Sequence, residues 1–327
     1  PTPPTPPTPP TPPTPPTPPT PIPRPIDVLH TRDTMDRLGG NGLNALNLHH
    51  QSLLRLQDGC AAVPGKFCYS VRQHVNAINS YEDVSVGLNL GYGFSKHFAA
   101  GAVVDYTLHR DLPSSHHDRR NDVATGVYAL LRQNADGNGW YLKPAVSFNS
   151  YDLRIHRPML SGTEAGEGET RLKGSSYSLT GGQNFALEDG KNAGWYVAVR
   201  HSDVRRKAYT EHDNIDFPVR YSEMRLKDTA AVLGGQISVP LSGKLHWRVA
   251  TEIEQSLDTD NPAYTAEADF IGRVHREAEV KKTRVQFGTG LRYDLAPRLN
   301  VTLDGYVGRG LLGGTSWGTA LRLNGEF

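Results

Sequence analysis

Apolar and polar residues alternate one by one along most of this chain. Val84, Val86, Leu88, Leu90, Tyr92 and Phe94 share one phase, and Ser85, Gly87, Asn89, Gly91 and Gly93 share the other. Successive side chains of a strand point to opposite faces, so this period of two predicts a strand with one apolar and one small or polar face. The same pattern recurs with charges on the second face. Leu245, Trp247, Val249 and Ile253 alternate with His246, Arg248, Glu252 and Glu254, and Val285, Phe287 and Leu291 alternate with Arg284, Gln286 and Arg292. Twelve such segments are expected, near 67–76, 81–95, 98–109, 121–134, 139–156, 171–185, 193–206, 221–239, 245–257, 281–295, 299–308 and 316–327.

Upstream the pattern changes. From Asp27 to about Gln57 the apolar positions Leu43, Leu46, His50, Leu53 and Leu54 follow three- and four-residue spacing, which predicts a helix with Thr31 or Asp33 as its cap. Gly39, Gly40 and Gly42 each cost about 1 kcal/mol in a helix interior, so the well-formed part is expected to begin near Leu43. Residues 1 to 21 contain only Pro and Thr in triplets, and Pro23 and Pro25 continue the theme. Such a segment favours an extended polyproline II rod, roughly 65 Å long at about 3.1 Å per residue. The expected organisation is a linker over 1–26, a helix over 27–59 and strands over 60–327.

Strand length and connection length decide the fold class. Several segments exceed ten residues, whereas strands of soluble proteins peak near about 5–6 and a tilted strand crossing a bilayer needs about 9–11. Short links near residues 96–97, 135–138, 240–244 and 296–298 alternate with long polar ones, such as Asp111–Arg120 and Asp258–Phe270; the link near 77–80 is a short exception. Short turns at one end, long loops at the other and an even strand number predict an all-β fold, a twelve-stranded antiparallel outer-membrane barrel. A soluble β-sandwich on a proline stalk is the competing reading. Aromatics fit girdles: Tyr92, Phe94, Phe98, Trp140, Tyr141, Phe185, Trp195, Tyr196 and Phe327 lie at the short-turn end, and Tyr106, Tyr151, Tyr221 and Tyr264 toward the long loops.

Composition refines this picture. A mean hydropathy of −0.50 with no apolar run near the ~18 residues of a spanning helix excludes a helical membrane protein, but a barrel needs apolar residues on one face only. The 35 basic and 34 acidic residues nearly cancel, which gives nucleic acid no electrostatic footprint. No charged-then-apolar leader is present, so a mature product or a fragment is expected. Cys60 and Cys68, the only cysteines, permit one local disulfide in an oxidising compartment; two small buried thiols are the other reading.

Twelve strands enclose a lumen of intermediate width, which a helix about 10–12 Å across nearly fills. Leu43, Leu46, His50 and Leu53 mark the candidate pore helix, and Arg72, Arg248, Glu252, Glu254, Arg284 and Arg292 are the candidate inward-facing polar partners. A helix that precedes the first strand must end at the short-turn mouth and point its N-terminus toward the long loops. Cys60 and Cys68 then lie at the short-turn mouth. Catalytic signals are weak. His109-Arg110-Asp111 and His201-Ser202-Asp203 place a His near an Asp, His116, His117 and Asp118 are consecutive, and Glu164, Glu167 and Glu169 form an acidic loop. Ordinary loop polarity explains each of these, so no catalytic residue, metal or cofactor is expected.

The last strand carries a family resemblance. Trp317-Gly318 followed by alternating Leu321 and Leu323 and a terminal Phe327 resembles the strand by which outer-membrane assembly machinery recognises its clients. Together with the order of linker, helix and twelve strands, and with Glu267–Gly272 before the tenth strand, residues 27–327 resemble the C-terminal translocator of autotransporters, the type V secretion proteins of Gram-negative bacteria. The resemblance implies a non-enzymatic, monomeric outer-membrane protein that exports and anchors an N-terminal passenger at the cell surface. Its implied partners are the assembly machinery, periplasmic chaperones, lipid and lipopolysaccharide, and its own passenger; nucleic acid is not among them. Self-cleaving members use an Asn in the pore helix, where Asn41, Asn44 and Asn47 stand, but the paired Asn of that subfamily is missing. A pore or a surface barrel enzyme with an incidental extension is the alternative function.

Overall fold

The computed structural model describes residues 26–327 apart from position 214; the Pro/Thr repeat lies outside the described residues. Twelve antiparallel strands close into a barrel: β1 (Phe67–Ile78), β2 (Tyr81–Gly93), β3 (Phe98–Asp111), β4 (Ala124–Arg132), β5 (Gly139–His156), β6 (Glu167–Ala186), β7 (Asn192–Arg206), β8 (Met224–Pro240), β9 (Leu245–Asp260), β10 (Thr283–Ala296), β11 (Leu299–Arg309) and β12 (Thr315–Glu326). Each strand pairs with its sequence neighbour, and β1 pairs with β12 in a ladder from Cys68↔Glu326 to Ile78↔Ser316. Phe67 and Phe327 exchange backbone N–H to O hydrogen bonds of 2.9 Å, and their rings stack at 5.5 Å. Strand β12 is thus the closing stave, and closure leaves the barrel wall without an open edge.

The alternation sorts residues by face. Val71, Leu90, Val127, Leu179, Val199, Leu233, Phe287 and Leu303 all stand exposed on the outer wall. On β5 this apolar outer run extends from Trp140 to Phe148, nine residues. At about 3.4 Å per residue and a tilt near 40°, such a run covers roughly 21 Å, close to the ~25 Å apolar band of membrane barrels. Among the described residues no helix is long and apolar enough to cross a membrane; the strands do so instead.

The aromatic girdles are smaller than the sequence predicts. Phe67, Tyr92, Phe94, Phe98 and Phe327 form a continuous contact chain at the short-turn end. Tyr196, however, turns inward to donate to Glu252 at 2.6 Å. Tyr151, Tyr221 and Tyr264 are buried in an interior core. Proximity to a strand end was read correctly for these residues, but strand phase decides which wall an aromatic faces.

Beyond the long-loop rim the protein continues as a second structure. Short strands at 209–210, 220–221, 263–268 and 272–277 form a four-stranded sheet, and strand 116–121 pairs along the upper part of β5. The links expected to be plain polar loops therefore carry regular structure. This sheet and the upper inner wall of the barrel enclose an apolar core that includes Met35, Leu38, Leu46, Leu153, Ile155, Leu172, Val204 and Leu226.

Candidate functional site

One α-helix, α1 (Val28–Arg55), fills the lumen. It begins fifteen residues before Leu43, and its cap is Asp27, whose Oδ1 accepts from the His30 N–H at 2.9 Å. The glycines do not interrupt it. A Cβ at Gly39 would stand 2.5 Å from the Tyr264 ring, and one at Gly42 would stand 3.0 Å from the Met224 sulfur. Tyr264 also donates its hydroxyl hydrogen to the Met35 carbonyl at 2.7 Å. The helix penalty is thus offset by close approach of the sheet above the rim, which sequence propensity cannot register.

Lower down the wall grips the helix through polar side chains. His49 Nε2–H donates to the Asn149 carbonyl at 3.2 Å, and Asn149 Nδ2 donates to Ser52 Oγ at 2.9 Å. The last carbonyls of a helix lack intrahelical donors. Here the barrel supplies them: Ser147 Oγ donates to Leu53 O at 2.9 Å and Arg72 Nη1 to Arg55 O at 3.3 Å, while just beyond the helix Lys143 Nζ donates to Gln57 O at 3.2 Å.

A buried charge cluster surrounds the helix end. Arg55 pairs with Asp83 and, at 3.3 Å, with Asp105. Arg72 Nη2 donates to Asp105 at 2.9 Å, and Arg110 Nη1 lies 2.8 Å from Asp118. The side chains of Arg55, Arg72, Asp83 and Asp105 are all no more than 6% exposed. Charges this far from water are tolerable only when paired and hydrogen-bonded, so the network fixes where Arg55 can sit.

Below Arg55 the chain runs as a strap to the short-turn mouth. Arg322 holds Asp58 at 3.3 Å, Val63 N–H donates to Glu326 at 2.8 Å, and Gly65 N–H donates to Gly93 O at 2.7 Å. Cys60 and Cys68 are bonded, with their Cα atoms 6.1 Å apart, which ties the strap to β1. Tyr128 hydroxyl donates to the Cys60 carbonyl at 3.1 Å.

Of the six inward residues singled out by alternation, Arg72 alone among the described residues hydrogen-bonds the helix. Arg284 is buried between Asp228 and Glu254. Glu252 receives Arg200 at 2.6 Å, and Arg292 pairs with Asp294 at 2.7 Å. Arg248, 45% exposed, pairs with Asp304 across the wall. Apart from Arg292, whose partner is on its own strand, these groups brace neighbouring strands around the lumen. Asp83, Asp105 and Arg55, which make the clamp, were missed: Asp83 stands near a strand end, and Asp105 is a single acid between Val104 and Tyr106. Leu43, Leu46, His50 and Leu53 are all buried. Trp317, Leu321, Leu323 and Phe327 project from the outer wall, and a Cβ at Gly318 would meet the Tyr306 ring at 2.5 Å.

The weaker motifs separate for reasons of strand geometry. His201 and Asp203 face outward while Ser202 faces inward to Ser176, 2.9 Å away, so these three cannot converge. His116 is buried beside Ser115, His117 packs on His156, and Asp118 binds Arg110. Glu164 accepts from the backbone of Asp216 and Phe217, and Glu167 and Glu169 pair with Arg154. Asn41 donates to Ser115 Oγ at 2.7 Å, and Asn47 binds the backbone of Leu312 and Gly313. No group of three metal-ligating residues occurs among the described residues.

An outward apolar band, a closed ladder of twelve strands and a helix clamped in the lumen define a plugged membrane barrel. Comparison with known proteins places it further. The family described as "Autotransporter beta-domain" matches residues 72–305, and the chain belongs to that family. Two solved structures resemble it: the translocator domain of the autotransporter NalP from Neisseria meningitidis, with TM-score 0.59 and 14% identity over 88% of this chain and 97% of that one, and the beta domain of the Bordetella autotransporter BrkA, with TM-score 0.51 and 18% identity over 81% of this chain and 100% of that one. Identities this low speak for the fold. The comparison with curated proteins returns no match. The protein is an outer-membrane translocator.

Proposed function

We propose that this barrel delivers its N-terminal passenger to the cell surface and then holds it there, with α1 as the resting plug. One observation carries the reading. The helix enters at the long-loop end, where Asp27 N–H donates to Gly162 O at 2.8 Å, and its chain leaves through the short-turn mouth before becoming β1. Whatever precedes Ile26 therefore emerges at the long-loop end, which in this reading faces the exterior. The Pro/Thr repeat acts as a spacer that lifts the passenger from the membrane. Residues 1–26 serve as linker, 27–59 as plug and strap, and 60–327 as barrel.

The barrel performs no chemistry of its own in this account. Its assembly machinery reads the terminal strand through Trp317, Leu321, Leu323 and Phe327, and one copy suffices for transport. Asn47 has its amide engaged by the wall loop at Leu312 and Gly313, which favours a passenger that stays attached or is cut elsewhere. Planar-bilayer conductance tests the plug: the full chain is expected to conduct poorly and to open when residues 27–59 are deleted. Equal conductance of both would replace the plugged translocator with an open pore. Protease shaving of intact cells, with an epitope fused before Pro1, checks the sidedness; an epitope protected from protease would overturn it.

A further inference from the structure

On the outer wall, just above the apolar band, three cations stand side by side. Strand register places Lys173 of β6 opposite Arg205 of β7, and Arg205 opposite Arg225 of β8. Neighbouring strands lie about 4.8 Å apart, so the three Cα positions fall within roughly 10 Å. All three side chains point away from the lumen, in phase with the exposed Tyr177, Leu179, Val197 and Val199 below them.

Like charges directly opposite each other destabilise a sheet pair. One carboxylate, Asp203, serves both Arg225 at 2.6 Å and Arg205 at 3.3 Å, and Glu223 lies 3.7 Å from Arg205. Among the described residues no carboxylate comes within ion-pair distance of the Lys173 ammonium. The row borders a cleft of about 420 Å³ whose lining includes Phe148, Ser150, Lys173, Asp203 and Arg205. Two cations, the Asp203 carboxylate that they flank and a hydroxyl therefore form its upper edge, and an aromatic ring its lower one.

We propose that this ladder binds the phosphates of lipopolysaccharide in the outer leaflet, with the acyl chains lying on Tyr177, Leu179 and Val199. The proposal rests on the reading that the long-loop end faces outward, which puts the ladder at the outer headgroup level. A sugar headgroup bearing two phosphates suits a row of three cations better than a single-phosphate zwitterion, because it can neutralise more than one site at once. Arg225 already gives Nε and Nη2 to Asp203, so the two Arg side chains meet phosphate through their remaining N–H groups, and Lys173 supplies the point charge.

Native mass spectrometry of the full chain in detergent, titrated with bisphosphorylated lipid A, with the same lipid dephosphorylated and with inorganic phosphate, tests this. Each surface cation is worth about fivefold in affinity for an anionic lipid. Lys173→Gln is expected to lose about fivefold, and the triple change Lys173→Gln, Arg205→Gln, Arg225→Gln about a hundredfold, while dephosphorylated lipid binds wild type and variants alike. Lys173→Gln removes no ion pair, so it keeps the test valid should the triple variant fold poorly. Equal affinity of wild type and Lys173→Gln for the phosphorylated lipid would overturn the site, as would equal binding of both lipids by wild type. Competition by inorganic phosphate at the lipid's own concentration would mark a general anion site and also overturn it. Passenger display by cells making Lys173→Gln reports on translocation separately, so loss of lipid binding with normal display leaves the translocator reading standing.

Discussion

The lower and upper halves of β5 follow one alternation and opposite chemistry. From Trp140 to Phe148 the outward positions are apolar, while the inward ones include Lys143 and Ser147. From Ser150 to His156 the outward positions are Ser150, Asp152, Arg154 and His156, and the inward ones are Tyr151, Leu153 and Ile155, none more than 1% exposed. The strand does not slip or bulge there along its pairing with β6. Its surroundings exchange: hydrocarbon outside and a polar lumen inside below, water outside and a dry core inside above. Each face takes the residues its own solvent permits, so the level at which the chemistry inverts marks the edge of the membrane on the long-loop side.

The halves also hold the helix by different forces, and substitutions can separate them. The largest expected effect lies in the lower half. Asp105→Ala leaves Arg72 and Arg55 short of a buried partner and is expected to cost about 3–5 kcal/mol, read as the urea unfolding midpoint of the refolded barrel, with conductance rising as the helix end loosens. A cost below about 1 kcal/mol would mean that water already serves these charges. Next come paired changes on the outer wall of β6. Leu179→Arg puts a charge into hydrocarbon and is expected to cost about 2–4 kcal/mol, whereas Glu169→Leu above the membrane should stay within about 0.5 kcal/mol. Equal costs in a bilayer-based unfolding assay would erase the boundary.

In the upper half the packing is steric. Gly39→Ala pushes a methyl into the Tyr264 ring and is expected to destabilise by about 1–3 kcal/mol. Gly40→Ala meets only the flexible guanidinium end of Arg276, so the helix gains up to about 1 kcal/mol. Thermal melts that rank these two the other way would refute the notch. The smallest effect is a pH dependence. Burial, with Arg206 nearby, lowers the His116 imidazole from 6.5 to about 3, and its Nε2 has no hydrogen-bond partner. Below pH 6.5 the unfolded chain binds a proton that the folded one refuses, so stability is full above pH 6.5 and declines as pH falls toward 3. The loss reaches about 1 kcal/mol near pH 6. His116→Gln is expected to make the slope of melting temperature against pH shallower by this one group's share; an unchanged slope would mean that other groups carry it.

Much of the fold was legible because a strand keeps its period of two over its full length. All twelve staves lie where alternation put them, within a few residues for most. The ends that moved are instructive. The segment expected over 121–134 is β4 from Ala124, preceded by the separate strand 116–121, and the one expected from 221 is β8 from Met224, with 220–221 in the small outer sheet. In the first place the run breaks between two strands of one sheet, in the second it passes from one sheet to another, and period alone shows neither. The helix was legible by its Leu spacing and misread at its start, because the compensation for Gly39 and Gly42 comes from Tyr264 and Met224, about two hundred residues away in sequence. The clamp was the least legible part. An inward Asp on one strand reads like any polar lumen residue until a specific Arg is placed against it.

What the sequence by itself determined is therefore the list of staves, the direction in which the helix must run, and the commitment of the terminal strand, since each follows from local period and chain order. Only the tertiary structure decided which inward charges grip the helix, why Gly39 and Gly42 sit inside it, and at what height the wall inverts its chemistry. Those depend on which side chains meet across the lumen, and closure of the barrel brings together residues whose distance along the chain carries no trace of the encounter.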